Sequence, residues 1–233
     1  MNKLEHTVKQ LGMSLGFDLV GIGSAEPFVR DEQIALQRIR EGMMDGLPWY
    51  TEERVRLATH PEELLPGARS IISLAISYNN ESRVSHNGIA GRIARYAWGD
   101  DYHQVLKDKL KEFAARLSDS LQGQVRTRIF VDDGPMNDRA AAERAGVGWF
   151  GKNTNILTPS HGSWVLLGQV ITDLDLVPDE PLAKNCGDCV RCIEACPTGA
   201  IVAPYAIDNR KCISFLTIEL RGTIPRELRP LVG

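Results

Sequence analysis

Cysteine is scarce in this sequence. Only five occur in 233 residues, and four of them fall between positions 186 and 196. Long apolar runs are missing as well: no stretch approaches the roughly 18 residues that a transmembrane helix needs. The opening MNKLEHTVKQLGMSLGFDLVGIG has no basic segment leading into a continuous apolar core, and no twin-arginine pair. No export signal is expected, and the chain reads as cytoplasmic, with no membrane partner. Disulfides rarely persist in that compartment, so clustered thiols there point to metal ligation or catalysis.

Charge of one sign is not in excess. The formal net charge is −3 and the pI about 6.0. That excludes a general coat for nucleic acid, so any RNA must be met by a local patch. At 43% hydrophobic residues, the chain also lacks the signature of disorder. Internal repeats are absent, as are the phosphate-binding G-x-x-x-x-G-K-[ST] loop, the G-x-S-x-G elbow and H-E-x-x-H. The five histidines (His6, His60, His86, His103 and His161) show no metal-ligand spacing, and each reads as a surface or loop residue.

What is present alternates. Leu4, Val8, Leu11 and Leu15 recur at helical spacing over 3–15. FDLVGIGSA (17–25) reads as a buried strand, followed by a helix over 29–44, the loop GLPWY (46–50) and a charged helix TEERVRL (51–57). ARSIISLAISY (68–78) is rich in β-branched residues and reads as a central strand; SRVSHNG (82–88) is a polar loop. Residues 101–121 suit an amphipathic helix with Val105, Leu106, Leu110, Phe113 and Leu117 on one side, Asp100 or Asp101 being available as its cap. VRTRIFVDD (125–133) is a strand, 136–146 a helix closed by Gly146, and 163–176 a further strand. Proline and acidic residues at 178–181 resemble a linker, and a helix is expected near 209–221. The expected fold class is α+β: an α/β sandwich domain over 1–177 with a small cysteine-bearing module over 178–233.

The module carries C-x2-C-x2-C-x3-C-P, formed by Cys186, Cys189, Cys192, Cys196 and Pro197. Structural zinc sites usually pair two C-x2-C units across a longer loop. Three successive steps of three, then a cysteine before proline, match instead the bacterial [4Fe-4S] run. In two-cluster proteins the fourth cysteine of such a run ligates the other cluster. Cys212, in DNRKCISFLTIE, is either a core residue or a further ligand. Two cubanes need eight ligands, which five cysteines do not supply. Either one cluster is bound or more ligands follow Gly233; the ending ELRPLVG has no closing character, and a C-terminal truncation is expected. A cluster passes single electrons, so the long remainder of the chain should house the centre that receives them.

Two stretches offer chemistry. VDDGP (131–135) sets acids at a strand end, where a carboxylic acid raised by burial against an apolar cofactor can donate a proton; alternatively, Asp132 or Asp133 caps the next helix. GVGWFGKNTN (146–155) permits close backbone approach to a flat ligand, with Lys152, Asn153 and Thr154 able to grip amides or a phosphate, or is simply a tight turn.

RYAWGDDYH, FVDDGPMNDRAAAERAGVGWFGKNTNIL, CGDCVRCIEACPTGAI and RKCISFLTIE occur in this order from 95 onwards. Together they resemble the epoxyqueuosine reductase family, and the resemblance runs from about residue 8 to the end. It implies reduction of the epoxide of epoxyqueuosine to queuosine at the wobble position of tRNA, with cobalamin and two [4Fe-4S] clusters as cofactors. It further implies a cobalamin-binding domain followed by a ferredoxin-like module, incomplete here, with an external electron donor and a monomeric state. By the same resemblance Asp132 is the proton donor, and Arg56, Ala97, Asp132, Lys152, Asn153 and Ser163 fall where cobalamin is contacted. Cys186, Cys189 and Cys192 belong to one cluster, Cys196 and Cys212 to the other. Some relatives carry a cysteine near position 97, where this chain has Ala97. The family's second cysteine motif and helical repeats are missing. For the tRNA, Arg210, Lys211, Arg221, Arg226 and Arg229 make the C-terminal stretch locally basic.

Two other functions compete. A reductive dehalogenase relative would use the same cofactor types but usually carries a twin-arginine signal and a tyrosine donor. A pure electron carrier would leave the long α/β part without a task.

Overall fold

The computed structural model describes residues 3–80, 91 and 93–232; the loop expected at 82–88, with His86, lies outside them. Four strands build the central sheet: β1 (Leu19–Ser24), β2 (Ser70–Ser77), β3 (Thr127–Phe130) and β6 (Val165–Thr172), in the order β1-β2-β6-β3. Every pairing is antiparallel. Ile72 lies opposite both Ile22 and Val170, and Ser73 lies opposite Gln169.

Side-chain alternation gives the sheet two buried faces. One packs Ile22, Ile72, Leu74 and Val170 against α1 (Lys3–Ser14) and α5 (Tyr102–Ser120). Leu106, Leu110, Phe113 and Leu117 of α5 are fully buried there, each contributing roughly 1.5–3 kcal/mol relative to exposure. Val105, expected among them, is exposed. The other face packs Ile71, Ala75, Phe130 and Ile171 against the alanines of α6 (Asp138–Arg144), with Phe28 and Leu64 beside them. Phe28 precedes α2 (Val29–Arg40), and Leu64 closes α4 (Pro61–Leu64), which follows α3 (Glu52–Thr59). The small side chains let α6 lie close to the sheet: a Cβ on Gly21 would sit 2.1 Å from the Ala145 carbonyl.

Helix starts follow local capping chemistry. The Thr51 and Asp101 side chains accept the amides of Arg54 and His103. At α6 the cap is Asn137, which accepts the amide of Ala140. Neither Asp132 nor Asp133 is the cap, and the strand expected through 133 stops at Phe130. That leaves 131–137 as a free-standing turn.

Beyond α6, Gly146 has φ 68° and directs the chain into a two-stranded hairpin, β4 (Trp149–Phe150) and β5 (Ile156–Leu157). After β6, residues 177–179 run back along α1 and β1: Val177 donates to Glu5, and Asp179 accepts from Ile22 and from Lys9 at 2.5 Å. The cysteine segment contains the single turn α7 (Arg191–Glu194) and the hairpin β7 (Ile201–Ala203) and β8 (Ala206–Ile207). The helix expected near 209–221 is not continuous. A 3-10 turn (Asn209–Lys211) breaks at Cys212, whose backbone is extended, before a π-helical stretch (Phe215–Glu219). This stretch packs back on the 43–49 loop: Asn209 donates to the Met43 carbonyl, and the Phe215 ring lies against Gly46.

Candidate active site

The 131–137 turn is gripped from several sides. Arg54 of α3 donates to the Gly134 carbonyl at 2.8 Å, and the Asn137 amide donates to the Ala58 carbonyl. Arg139 of α6 reaches the Thr154 carbonyl in the β4–β5 loop at 3.4 Å. Asp132, with φ 20°, stands in a backbone region that residues other than glycine rarely adopt. Strain of this kind is a cost that surrounding contacts must offset.

Those contacts come from the start of α5. The Tyr102 hydroxyl donates to Asp132 Oδ2 at 2.5 Å. His103 Nε2 lies 2.8 Å from Asp132 Oδ1, and its Nδ1 lies 2.7 Å from Asp101 Oδ1. The two rings stack with centroids 4.0 Å apart. Burial and the hydrogen bond to Asp132 push the Tyr102 phenol well above its ordinary range, so it stays protonated. Burial pulls His103 down, but the Asp101 hydrogen bond and the charges of Asp132 and Asp101 outweigh it and hold the imidazole above its usual value. Lys107 pairs with Asp133 one turn further along α5.

The protein itself leaves the Asp132 side chain 54% exposed, with a phenol and an imidazole as its partners. Sequence reading set His103 aside as a loop or surface residue; it is the link between two carboxylates.

The other residues assigned to a cofactor stand on separate elements. Arg56 is on α3, exposed and ion-paired with Glu52. Ala97 ends a 3-10 turn (Arg95–Ala97), which Tyr96 ties edge-on to Tyr102. Ser163 is exposed beside Trp164; Arg95 stacks over the Trp164 ring, and Tyr78 packs against its edge. Asn153 accepts the Asn155 amide within its own loop. Lys152 instead faces the cysteine segment: its ammonium donates to the Gly187 carbonyl at 2.7 Å, and its own carbonyl accepts the Tyr205 amide. Two cavities, of about 270 and 460 Å³, lie elsewhere, lined by 39–50 and by residues around Ala25, Arg69 and Leu176.

All five cysteines are free thiols, and all are at least partly accessible. Cys196 receives several donors at its sulfur. Burial raises it, but the amides of Ile201, Thr198 and Ala200 and the Thr198 hydroxyl bring it below the ordinary thiol value. Such N–H donors to sulfur suit a cluster ligand. Among the described residues no three His, Cys, Asp or Glu side chains converge as a single metal ion requires. A cubane, whose ligands hold separate corners, does not ask for that convergence. Of the basic residues assigned to RNA, Arg210 is committed to Asp208 in a two-point pair, and Lys211 is 4.0 Å from the same carboxylate.

Known proteins resemble this chain in sequence and fold. A family model described as "Epoxyqueuosine reductase QueG, DUF1730" matches residues 59–133, and one described as "4Fe-4S double cluster binding domain" matches 185–233. The epoxyqueuosine reductase of Escherichia coli is 41% identical over 239 residues, covering 100% of this chain and 62% of the relative. That of Bacillus cereus is 38% identical, covering 99% and 60%; that of Cyclobacterium marinum is 41% identical, covering 97% and 73%. This chain thus spans about three fifths of the Bacillus and Escherichia proteins. A crystal structure of epoxyqueuosine reductase with an epoxyqueuosine-modified tRNA-Tyr stem loop superposes with TM-score 0.89 at 35% identity, over 99% of this chain and 61% of that one. A Bacillus subtilis structure with its catalytic aspartate loop swung out of the active site gives 0.90 at 34%, with the same coverage. A catabolic reductive dehalogenase reaches 0.54 at 19% identity, a likeness of fold alone. The fold is therefore mixed α/β with a 4Fe-4S binding domain.

Proposed function

This chain belongs to the epoxyqueuosine reductase family, and on that premise we propose that it forms the catalytic part of an enzyme reducing epoxyqueuosine in tRNA to queuosine. The observation that carries the reading is Asp132 at the apex of a strained turn, held by Tyr102 and His103 and facing outward. An acid in that position can protonate an epoxide oxygen on a macromolecule too large to enter a closed pocket.

In this reading residues 1–177 form a cobalamin-binding domain and 178–233 the beginning of a ferredoxin-like module. Arg56, Ala97, Asp132, Lys152, Asn153 and Ser163 would hold the cobalamin. Cys186, Cys189 and Cys192 would hold one cluster, and Cys196 and Cys212 would contribute to a second. Bound there, these groups supply the reducing electrons, one at a time from an external donor. The protein's own part is to place the epoxide beside Asp132, to deliver protons and to keep the turn in its strained shape. Arg221 and Arg226, which are not tied up in the pair around Asp208, are the better candidates for RNA phosphates. Binding of a stem loop should weaken with salt if they act so.

The test is anaerobic conversion by the full-length protein. After reconstitution with iron, sulfide and cobalamin, it should remove one oxygen from an epoxyqueuosine-containing stem loop, read by mass spectrometry. Uptake of both cofactors without any loss of oxygen, under a strong chemical reductant, contradicts the proposal. Iron uptake with no corrin absorption would favour a plain electron carrier.

A further inference from the structure

Removing an epoxide oxygen so that the parent alkene remains consumes two electrons and two protons and releases water. A single carboxylic acid supplies one proton. Once Asp132 has protonated the opened oxygen it is a carboxylate, and the oxygen still needs a second proton before it leaves as water.

His103 stands at a place that meets this demand directly. Its two ring nitrogens face two carboxylates, Asp132 at 2.8 Å and Asp101 at 2.7 Å. A neutral imidazole has one N–H and serves only one of them as donor; the cation serves both. Asp101 is itself fixed, because the same Oδ1 accepts the His103 amide as the cap of α5. The ring is also fixed by stacking on Tyr102. At 34% exposure its side chain remains in reach of solvent protons.

We propose that His103 is the proton reserve of the site: as a cation it recharges Asp132 after the first proton transfer, and Asp101 holds it oriented for that purpose. In the step, the His103 Nε2–H bond breaks and an O–H bond forms on Asp132, leaving neutral imidazole and a neutral acid. Solvent then returns the proton to His103, and no electrons move. His103 acts through Asp132 and is a positioning and proton-supplying residue. The proposal rests on the epoxide-reducing function above. Among the described residues, the charged groups facing the ring or beside it are Asp101 and Lys107 on α5 and Asp132 and Asp133 on the turn, and the Tyr102 phenol stacks on it. Lys107 is engaged by Asp133, which leaves the two carboxylates flanking the ring to set its charge. In keeping with this, the imidazole is held above its ordinary range.

Two measurements on the full-length holoenzyme test the proposal. The first is NMR titration of ring-labelled histidine, which needs no turnover. The His103 midpoint should lie above that of a free histidine and fall in Asp132→Asn and in Asp101→Asn; a midpoint indifferent to both overturns the proposal. The second is the pH profile of turnover. Wild-type rates should decline as pH rises through the His103 midpoint. His103→Ala should lose that limb, run on the order of a hundredfold slower, and recover in added imidazole. A slow variant that imidazole does not rescue, or one with the wild-type profile, overturns the proposal. His103→Gln, which keeps a donor without a titrating group, should stay slow at every pH even if the alanine variant folds poorly; wild-type turnover by it also overturns the proposal. If instead wild-type holoenzyme removes no oxygen, the function fails, while the titration still reports on the His103 pair.

Discussion

Asp132 receives two hydrogen bonds of different character, and each can be removed alone. Tyr102 stays protonated across the physiological range and so only positions, whereas His103 changes charge. Tyr102→Phe should therefore slow epoxide removal by about tenfold while leaving the shape of the pH profile intact. Stopped-flow or quench kinetics across pH will show whether the profile moves; a shifted limb would mean that the phenol titrates in the mechanism. Sequence reading reached Asp132 through the VDDGP motif, but capping preference competed with it. Asn137 won the cap because it directly precedes the first helical residue. His103 was not legible, because its significance comes from a carboxylate some thirty positions away, across a loop and a strand. Periodicity placed it on a helix and carried no information about that partner.

At the scale of elements, α6 joins the reactive turn to the sheet at some cost. Asp138, its first residue, has a buried Oδ1 without a partner. On the sheet below, Gln169 donates to the Asp138 carbonyl, while Gln169 Oε1 and Ser73 Oγ are themselves unpartnered. Burial, reinforced by the charge of Asp132, pushes Asp138 up from 3.8 to about 7. A carboxyl raised in the fold binds a proton that the unfolded chain has released, so its contribution to stability falls as pH rises from about 4 to about 7 and is flat above. Asp138→Asn should remove that dependence, gaining relative to wild type by up to roughly 3–4 kcal/mol between pH 4 and 8. Urea unfolding at both pH values measures it; equal differences at both would show that the fold does not raise Asp138. The central strands were readable because β-branched runs have few other uses. The β4–β5 hairpin was not, since two-residue strands carry no periodicity, and its glycines suggested a bare turn. The broken helix around Cys212 escaped for a related reason: its apolar spacing is helical, but its packing on Gly46 sets the backbone.

Across the whole molecule, the cysteine segment is anchored at three places: the 177–179 strap, the Lys152 bridge to Gly187, and the seat of Phe215 on Gly46. These contacts tie the cysteine segment to α1, to the β4–β5 loop and to the 43–49 loop. In the full-length protein, Cys189→Ala should lower bound iron by about one cluster's share and remove electron delivery, while RNA affinity stays unchanged. Iron analysis and electron paramagnetic resonance will decide; full iron with full activity would reassign the first cluster. The cysteine spacing was the clearest feature of the sequence, because few other structures need four thiols in one loop. How the loop is tied to the β4–β5 loop was not, since Lys152 binds it through a backbone carbonyl that any residue could have provided.

The most direct test of the central claim is one single-turnover experiment. Full-length Asp132→Asn, loaded with iron–sulfur clusters and cobalamin and reduced anaerobically, is mixed with an epoxyqueuosine stem loop. Oxygen loss should slow by at least about a hundredfold, with cofactor content and RNA affinity at wild-type levels. Wild-type conversion by that variant would contradict the assignment of Asp132 as the acid of the site.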